Sequence, residues 1–339
     1  MEPFEVRRYQ PGDEEGILAL FNRVVQGDDP DYVPRTMATW RHRYIDNPMG
    51  YQVLVATDAQ GEIIGNYSAM EMHCSVRGEK RRCAQAVDTV VGRAWRGALS
   101  KTSVFVTLGR RYLKEFCRPE GDRGNEYAYG LPNNQAFGAG TRILGYKPVH
   151  CPMPTQVMQI DEAWVEGLQK EAGQVTVTED DWTCLDEVGQ LFLKHLDEVP
   201  LGLWRDSTYL AWRYRDWPDV RYRLLLAKRD GVLVGALIFS LGWFGQPLVP
   251  LMDWIGPGAD EEMMAAVLAE VGKITLAEGG ARLETWVTPN MPQLATLRRF
   301  GFVPEESPFN LCIMVYARDF DLDWSKSRWF FTMGDSDIY

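Results

Sequence analysis

The sequence predicts an α/β protein, a mixed α+β chain in which two similar domains follow one another. Three observations favour this class: short β-rich runs alternate with amphipathic helices, the order of elements in the first half returns in the second, and identical residues recur at a fixed spacing. The chain has 339 residues, enough for two domains of ordinary size. We therefore expect two tandem domains, each a mostly antiparallel sheet flanked by helices.

The first half contains two N-terminal helices, a run of strands and a central helix. Apolar residues three to four positions apart predict the helices, and β-rich runs that end at Gly, Asp or Pro predict the strands. The predicted strands span residues 4–9, 51–56, 62–76, 80–91, 125–131 and 155–160. The predicted helices span residues 13–25, 35–46 and 103–116, and a short helix opens at Pro132. These elements form a predicted N-terminal domain over residues 1–160.

The second half repeats this order after a polar segment, 161–173, which is helical in pattern and serves as the predicted linker. Its predicted helices span residues 187–199, 207–216 and 261–276, and a short helix opens at Pro289. Its predicted strands span residues 222–227, 232–241, 248–255 and 282–287. We expect a C-terminal domain over residues 174–318 and an aromatic tail over residues 319–339.

Internal identities support a duplication. A shift of 170 residues, from 43–65 to 213–235, gives more identities than the one or two that ordinary composition predicts. They are Arg43/Arg213, Tyr44/Tyr214, Asp46/Asp216, Pro48/Pro218, Leu54/Leu224, Gly61/Gly231 and Gly65/Gly235. Further along, at a slightly smaller shift, Pro132-Asn133 corresponds to Pro289-Asn290. The agreement of spacing and element order favours a repeated unit over coincidence of turn residues.

Charge and composition restrict the class of partner. The formal net charge of −11 argues against a nucleic-acid partner, because phosphate contacts need a basic surface. It suits an amine-bearing substrate, although solubility alone explains it equally well. No apolar run approaches the roughly 20 residues that span a bilayer, and the N-terminus lacks the pattern of a signal peptide. We therefore expect a cytoplasmic protein with no membrane partner, and the oligomeric state stays open.

Cysteine and histidine patterns give no sign of a metal. The six cysteines are dispersed without a C-x-x-C pair, which favours reduced thiols in a cytoplasmic protein. The four histidines have no metal-ligand spacing. The sequence therefore predicts no metal site.

A strand, a loop of small residues and a helix start lie between Asp88 and Phe116. Free backbone N–H groups and the positive end of the helix dipole meet at such a junction, which suits a phosphate or pyrophosphate. An ordinary strand-to-helix turn is the alternative interpretation. The helix is marked by apolar residues at Val104, Leu108 and Tyr112.

The repeat unit resembles the GNAT superfamily of acyl-CoA-dependent N-acyltransferases. The segment 90–102 is similar to the acyl-CoA loop of that family, Leu131-Pro132-Asn133-Asn134 to the segment after its fifth strand, and Leu144-Gly145-Tyr146-Lys147-Pro148 to its Leu-Gly-Phe ending. The resemblance implies that the first half binds acetyl-CoA or another acyl-CoA. An amine of a small molecule or peptide would attack the thioester directly in a ternary complex. The implied cofactor contacts are Val90, Val91, Arg96, Gly97, Ala98, Lys101, Thr102, Ser103 and Asn133.

The chain departs from the family pattern at three places. The second glycine of the acyl-CoA loop is missing after Gly97, and Thr141 stands where many members have the tyrosine that protonates the leaving thiolate. In the second half, residues 256–260 contain no Arg or Lys, and acidic residues follow at the helix start. Carboxylates there satisfy the helix terminus and repel an anion. We therefore expect a degenerate second domain that does not bind acyl-CoA.

Acyl transfer needs a neutral amine, a donor to the thioester oxygen and a proton for the thiolate. The resemblance implies a backbone N–H of the strand 88–91 as the donor. Asp88 is the first candidate base, followed by Glu71 and Glu126, and Tyr129 is the candidate acid. Cys74 and Cys83 are disfavoured as nucleophiles because no histidine is suitably placed in sequence.

Two other functions stay open. Paired GNAT-like domains also occur in aminoacyl-tRNA-dependent transferases, although the acidic charge disfavours tRNA. The altered loop also allows a non-catalytic GNAT-fold binding protein. The aromatic tail is expected to dock onto a domain, since solvating so many aromatic side chains is unfavourable. A substrate-facing role for Asp335 and Asp337 is a further hypothesis.

Overall fold

The computed structural model describes residues 3–28, 32–96, 102–117, 124–132, 134–242, 248–315 and 320–338. The chain divides into two compact units. Unit 1 comprises Met1–His73, Arg81–Cys151 and Phe309–Leu322, and unit 2 comprises Cys74–Lys80, Pro152–Pro308 and Asp323–Tyr339. Each is a mixed sheet flanked by helices, so the predicted fold class is confirmed.

Unit 1 is built on a sheet whose strands run in the order β1-β2-β3-β4-β5-β15-β6. Most neighbours are antiparallel, and β4 and β5 are parallel. The strands are β1 (Glu5–Arg8), β2 (Tyr51–Thr57), β3 (Ile63–Val76), β4 (Glu79–Val91), β5 (Tyr127–Gly130), β6 (Lys147–His150) and β15 (Leu311–Val315). The helices are α1 (Asp13–Asp28), α2 (Met37–Tyr44), α3 (Val104–Phe116) and α4 (Asn134–Ala139), the last continued by a π-helical turn, Gly140–Leu144.

The two faces of the unit 1 sheet carry different helices. Val90 packs with Leu20 and Val24 of α1. Its neighbour Val91 lies in the core that contains Val104 and Leu108 of α3. Because successive strand residues point to opposite faces, α1 and α3 cover opposite faces of β4.

The β3–β4 hairpin turns through Arg77 and Gly78, both with positive φ (55° and 82°). Positive φ at both central residues is the signature of a type I′ turn, whose twist matches that of the strands. The hairpin tip, Cys74–Lys80, belongs to unit 2. There Cys74 to Val76 pair antiparallel with β9 (Leu201–Leu203).

Unit 2 is built on a sheet in the order β14-β7-β13-β12-β11-β10-β8. The strands are β7 (Thr155–Gln159), β8 (Val175–Asp180), β10 (Tyr222–Arg229), β11 (Val232–Ser240), β12 (Leu248–Ile255), β13 (Arg282–Trp286) and β14 (Val303–Glu305). The helices are α5 (Glu162–Glu171), α6 (Leu185–Lys194), α7 (Ser207–Leu210), α8 (Glu261–Ala277), α9 (Gln293–Arg299) and α10 (Leu322–Arg328). A π-helical turn, Ala211–Arg215, continues α7.

The strand predicted at residues 155–160 was assigned to the wrong sheet. β7 pairs antiparallel with β13, from Thr155↔Trp286 to Gln159↔Arg282, and with β14 on its other side. Conversely, β15 pairs antiparallel with β5 and β6 of unit 1. Each sheet therefore contains a strand from the other half of the chain, and the unit boundaries differ from those predicted at 160 and 174. An alternating pattern indicates a strand and its buried face, but it carries no information about the neighbour.

The predicted linker is helical, as expected, and forms part of unit 2. The α5 helix packs closely on α8, because Gly272 has no side chain at the contact. A Cβ at Gly272 would lie 2.8 Å from Val165 and 3.1 Å from Trp164. The segment 162–171 is thus a packed helix rather than a free connection.

The aromatic tail is buried in unit 2. Trp329, Phe330, Phe331 and Met333 are each at most 3% exposed. The Phe330 amide donates to the Leu201 carbonyl at 2.7 Å, and Phe331 stacks on Trp286 with ring centroids 6.2 Å apart. This segment is therefore part of the packed interior of unit 2.

Two further expectations concern bonding and membranes. All six cysteines lie among the described residues, and none of them forms a disulfide. Across the described parts of the chain, every helix is too short or too polar to span a bilayer.

Candidate functional site

Strands β4 and β5 of unit 1 run side by side only briefly. Their parallel register covers Cys83↔Tyr127, Ala84↔Ala128 and Gln85↔Tyr129. The next two residues, Ala86 and Gly130, also lie close together, because a Cβ at Gly130 would lie 2.9 Å from the Ala86 carbonyl oxygen. The β5 strand ends at Gly130 while β4 continues to Val91. The second half of β4 thus extends beyond the end of β5. Peptide groups on such an exposed strand edge can form hydrogen bonds with an extended ligand.

The β4 backbone is irregular at Asp88, which has a φ of 54°. A left-handed conformation is unfavourable for a residue with a Cβ and persists only where its surroundings hold it. Here the buried amide of Asn66 donates to the Asp88 carbonyl at 2.8 Å. The irregularity reorients the peptide groups of the segment in which the resemblance implies a donor to the thioester oxygen.

After β4 the chain turns toward α3. The Gly92 amide donates to the Ile64 carbonyl at 2.8 Å, and a 3₁₀ turn, Arg93–Trp95, follows. Ser103 is the N-cap residue of α3, but its side chain makes no capping hydrogen bond. Its hydroxyl is buried, with the residue 4% exposed, and has no hydrogen-bond partner in the described parts of the chain. The first turn of α3 thus offers backbone amides, the positive end of the helix dipole and an unsatisfied hydroxyl, all of which suit an anion.

Arginine side chains flank this turn. Arg93 Nη2 donates to Asp28 Oδ1 at 2.6 Å and Arg96 Nη1 donates to Asp28 Oδ2 at 3.1 Å. Arg96 Nε also donates to the Val91 carbonyl at 2.9 Å. The hydrogen bond from Arg93, together with Arg96, lowers the pKa of Asp28. The Arg96 guanidinium, which is expected to contact a phosphate, therefore lies at the turn. The Asp28 carboxylate would compete with a phosphate for this guanidinium.

Asp88 is buried within a cluster of basic and phenolic side chains. Arg35 forms an ion pair with Asp88 Oδ1, which also lies 3.5 Å from Arg43 Nη1, and Tyr44 Oη donates to Oδ2 at 2.9 Å. Arg43 and Tyr44 lie on α2, and Arg35 precedes it. Both carboxylate oxygens of the first candidate base therefore have partners. The carboxylate holds this cluster in place beside the irregular segment of β4.

Tyr129 lies at the point where the strands part. It forms the last parallel register pair with Gln85 and is 1% exposed. Ala128 belongs to the core that contains α3, so alternation points Tyr129 to the opposite face, the one covered by α1. The structure therefore brings the candidate acid to the parting point of β4 and β5.

Glu71 lies in a different environment. Its carboxylate pairs with Arg82 and lies 3.4 Å from Gln52 Nε2, and Gln52 Oε1 accepts a hydrogen bond from Tyr112 at 2.7 Å. Tyr112 is in the last two turns of α3, so this network lies about 12 Å along the helix from its first residue. Glu126 is also apart, with Oε1 3.9 Å from Arg81 Nε. The structure does not bring these two carboxylates together with Asp88.

The predicted cofactor contacts divide into two groups. Val90, Val91, Arg96, Thr102 and Ser103 lie along the end of β4, the turn and the start of α3. Gly97, Ala98, Lys101 and Asn133 lie outside the described residues. The first group lies at the junction of β4 and α3, and its contact with acyl-CoA stays a prediction.

Arg35, Arg43 and Tyr44 were not predicted from the sequence as part of the site. Their contact with Asp88 joins residues more than 40 positions apart, which a local pattern cannot report. A signal was nevertheless present. Arg43 and Tyr44 recur as Arg213 and Tyr214, and the same shift of 170 residues also relates Arg35 to Arg205.

The corresponding helix start in unit 2 is occupied by the chain itself. Asp260 caps α8 by accepting from the Met263 amide at 3.0 Å, and Arg229 forms two hydrogen bonds of 3.0 Å with the same carboxylate. The Gly258 amide, in the preceding loop, donates to Glu198 Oε2 at 2.9 Å. Carboxylates therefore already accept from two backbone amides at this helix start.

The tail fills the place in unit 2 where β12 and β13 part. Their parallel register ends at Pro250↔Glu284. Beyond it, Asp335 is buried and pairs with Arg205, with Arg205 Nη2 donating to Asp335 Oδ1 at 2.7 Å. Thr288 donates to the Trp329 carbonyl. The hypothesis that Asp335 faces a substrate is thus wrong, since its carboxylate is used inside unit 2.

Metal ligands are not clustered in the parts of the chain that the structure describes. No group of three or more His, Cys, Asp or Glu side chains there is arranged to hold a metal ion.

Comparison with known proteins gives a family for part of the chain. Residues 5–106 match the family model described as an acetyltransferase (GNAT) domain. This stretch includes the second half of β4, the turn and the start of α3. No curated protein sequence matches the chain.

Solved structures share the fold over nearly the whole chain. A probable N-acyltransferase from Enterococcus faecalis V583 has a TM-score of 0.64 at 10% identity, covering 93% of this chain and 73% of that one. A GCN5-related N-acetyltransferase from Kribbella flavida has a TM-score of 0.64 at 12% identity, covering 93% and 71%. The N-myristoyltransferase of Saccharomyces cerevisiae with bound myristoyl-CoA has a TM-score of 0.59 at 12% identity, covering 94% and 80%.

The first part of the chain resembles a GNAT domain in sequence, and the whole chain resembles GCN5-related N-acetyltransferases in fold. The resemblance to the GNAT superfamily is confirmed by the sequence match over residues 5–106 and by the fold of GCN5-related N-acetyltransferases. The match by sequence covers the first half alone, while the fold extends through both units.

Proposed function

We propose that this protein is an N-acyltransferase that moves an acetyl or similar acyl group from acyl-CoA to an amine of a small molecule or peptide. The observation that carries the proposal is the junction of β4 with α3, where a helix N-terminus meets the buried, unsatisfied hydroxyl of Ser103. The diphosphate of CoA is an anion of the kind that such a junction binds. The junction also lies within the segment that matches the GNAT family model.

In this proposal acyl-CoA extends from the start of α3 along the second half of β4. Ser103, Thr102 and Arg96, with Gly97, Ala98 and Lys101, hold the diphosphate, and peptide groups of Val90 and Val91 pair with the pantetheine arm. Asn133 is a further proposed contact. The acyl-CoA supplies the activated acyl group, and the site supplies its orientation.

The proposed reaction is direct attack in a ternary complex. The amine nitrogen forms a bond to the thioester carbon, the carbon–sulfur bond breaks, and the amine proton leaves to solvent or to a carboxylate. A backbone amide of the strand 88–91 donates to the carbonyl oxygen as negative charge develops. Tyr129 is the proposed acid for the thiolate, because it lies on β5 where the two strands part.

Asp88 has a different proposed role from that of a free base. Its carboxylate already accepts from Tyr44 and pairs with Arg35, so it supports the irregular strand and the arginine cluster. Glu71 is proposed as a structural residue, since its network lies away from the first turn of α3.

Unit 2 is proposed to have lost acyl-CoA binding, because its helix start is capped by Asp260 and the parting of β12 and β13 is filled by the tail. We propose that the reaction takes place in the cytoplasm.

Calorimetric titration of the purified chain with acetyl-CoA tests the proposal. We expect one binding site per chain and an affinity at least about 100-fold weaker for acetyl-pantetheine, which lacks the diphosphate and the nucleotide. The matched ligand separates anion recognition from recognition of the acyl arm. Absence of binding at about 1 mM acetyl-CoA would overturn the proposal.

A further inference from the structure

The two units carry the same cluster at the start of corresponding helices. In unit 1, Arg35 precedes Thr36, whose side chain caps α2. In unit 2, Arg205 precedes Asp206, whose side chain caps α7. Eight residues later each helix has an Arg-Tyr pair, Arg43-Tyr44 and Arg213-Tyr214. The duplication therefore relates two arginines and one tyrosine of unit 1 to residues of the same types in unit 2.

The carboxylate of each cluster also occupies the same place in its sheet. Asp88 comes three residues after Gln85, the last residue of β4 in parallel register with β5. Asp253 comes three residues after Pro250, the last residue of β12 in parallel register with β13. Tyr44 Oη donates to Asp88 Oδ2 at 2.9 Å, and Tyr214 Oη donates to Asp253 Oδ2 at 2.9 Å.

The first arginine of each cluster is held in the same way. Arg35 pairs with Asp88, and Arg205 Nε lies 2.8 Å from Asp253 Oδ2. Each guanidinium also stacks on a phenylalanine ring. Arg35 Cζ lies 4.6 Å from the Phe21 centroid, and Arg205 Cζ lies 5.1 Å from the Phe330 centroid.

In unit 2 this cluster binds a peptide segment, the tail residues 332–336. Arg205 Nη2 donates to the Asp335 carboxylate at 2.7 Å. Arg213 donates to two backbone carbonyls, those of Gly334 at 3.0 Å and Ser336 at 3.1 Å. The two guanidiniums thus recognise one carboxylate and two peptide carbonyls, and the Arg205 side chain has no exposed surface.

In unit 1 the corresponding arginine reaches solvent. The Arg35 side chain is 20% exposed, although its partner Asp88 is only 3% exposed. We infer that the cluster of Arg35, Arg43, Tyr44 and Asp88 binds the carboxylate of a peptide-like acceptor, as its counterpart binds Asp335. The inference rests on the proposed function only in taking this ligand as the amine-bearing substrate.

The chemistry of the cluster fits this ligand. Arginine presents several N–H donors in a fixed plane, which match a carboxylate or a row of carbonyl oxygens. Asp88 lies on the part of β4 that β5 leaves, so a ligand held by Arg35 lies beside the strand proposed to hold the thioester. The substrate class is therefore a peptide or amino-acid derivative that bears a carboxylate.

A pair of peptides tests the inference without turnover. The probe is the peptide of residues 332–336, acetylated at its N-terminus and amidated at its C-terminus, and its matched control has Asn in place of Asp335. Binding of both to the full-length protein is measured by calorimetry. We expect the Asp peptide to bind about 10- to 100-fold more tightly, since it supplies charged hydrogen bonds that the control lacks.

Variants of the protein locate the binding site. Arg35→Met removes the difference between the two peptides, and Arg35→Lys reduces it while keeping the charge beside Asp88. Arg223→Met, which breaks an ion pair with Glu179 in unit 2, keeps the full difference. If Arg35→Met does not fold, the lysine variant and the wild-type comparison decide.

Equal binding of the two peptides, or no binding of the Asp peptide below about 1 mM, would overturn the inference. So would a difference that persists in Arg35→Lys at its full size. A parallel titration with acetyl-CoA separates the two proposals. Acetyl-CoA binding without discrimination between peptides refutes this inference alone, whereas discrimination without acetyl-CoA binding refutes the proposed function alone.

Discussion

At the scale of single residues, substitution of Ser103 distinguishes an effect on acetyl-CoA binding from an effect on folding stability. The Ser103 hydroxyl is buried at the start of α3 and has no hydrogen-bond partner among the residues that the structure describes. We expect Ser103→Ala to weaken acetyl-CoA binding about 10- to 100-fold, because a hydrogen bond to a charged phosphate contributes about 1.5–3 kcal/mol. The free energy of unfolding should change by less than about 0.5 kcal/mol. Calorimetric titration and urea unfolding measure the two effects.

Ser75→Ala is the matched control. Ser75 also has a buried hydroxyl without a hydrogen-bond partner in the part of the chain that the structure describes, but it belongs to unit 2. This variant should bind acetyl-CoA as the wild type does. Equal affinities of Ser103→Ala and Ser75→Ala for acetyl-CoA would contradict a contact between Ser103 and the diphosphate.

Single residues were predicted from the sequence where local pattern sufficed. The resemblance implies Ser103 and Val91 as cofactor contacts. The structure locates both at the junction of β4 and α3, and their contact with a cofactor stays a prediction. The partners of Asp88 could not be predicted in this way. Arg35 and Arg43 reach it only because α2 packs on the sheet, and contact between distant residues leaves no local pattern. The interior use of Asp335 was missed for the same reason.

At the scale of elements, the tail is an integral part of unit 2. Asp335 is buried against Arg205, whose other carboxylate partner is Asp253. We expect Asp335→Ala to lower the free energy of unfolding by about 3 kcal/mol, because Arg205 Nη2 and the Thr332 amide each lose a buried acceptor at about 1–3 kcal/mol apiece, although Asp253 still balances the charge of Arg205. Acetyl-CoA affinity per folded molecule should not change. Urea unfolding followed by tryptophan fluorescence gives the measurement.

Asp337→Ala provides the comparison, because Asp337 is more exposed than Asp335. It should lower the free energy of unfolding by about 1 kcal/mol or less. If the two alanine variants were equally stable, the tail would not depend on the pairing of Asp335 with Arg205.

Most elements were predicted in type, and the errors concern the partners of strands and some short strands that were missed. The β7 segment reads correctly as a strand, yet it pairs with β13 and β14 of unit 2. Period-two alternation reports a buried face, and both sheets offer a suitable neighbour. The β15 and β8 strands were missed, because runs of five or six residues give weak patterns.

At the scale of the whole molecule, the strand exchange predicts how fragments fold. A fragment of residues 1–151 lacks β15, which pairs with both β5 and β6. We expect it to be unfolded or aggregated, since β5 and β6 would expose unpaired backbone. Circular dichroism and size-exclusion chromatography report the outcome.

Joining residues 309–322 to Cys151 through a short Gly-containing loop should restore folding. The β6 and β15 strands are antiparallel, with Leu311 opposite His150, so a hairpin can connect them. A folded, monodisperse 1–151 fragment without the added strand would contradict the part assigned to β15.

The two copies of the duplicated unit differ at the helix start, and for this reason unit 1 alone is proposed to bind acyl-CoA. The outline of the duplication was predictable from identities such as Arg43/Arg213. The acidic start of α8 predicts a helix N-terminus that does not bind anions, and in the structure Asp260 caps this helix and pairs with Arg229. The filling of unit 2 by the tail was not predictable, because docking depends on the complementarity of a folded surface.

Hydrogen–deuterium exchange with and without acetyl-CoA tests the central claim most directly, since bound ligand slows exchange of the amides that it covers. We predict that saturating acetyl-CoA protects peptides covering residues 90–108 of unit 1 and leaves residues 256–266 of unit 2 unchanged. Protection confined to residues 256–266, or none at either helix start, would contradict the account.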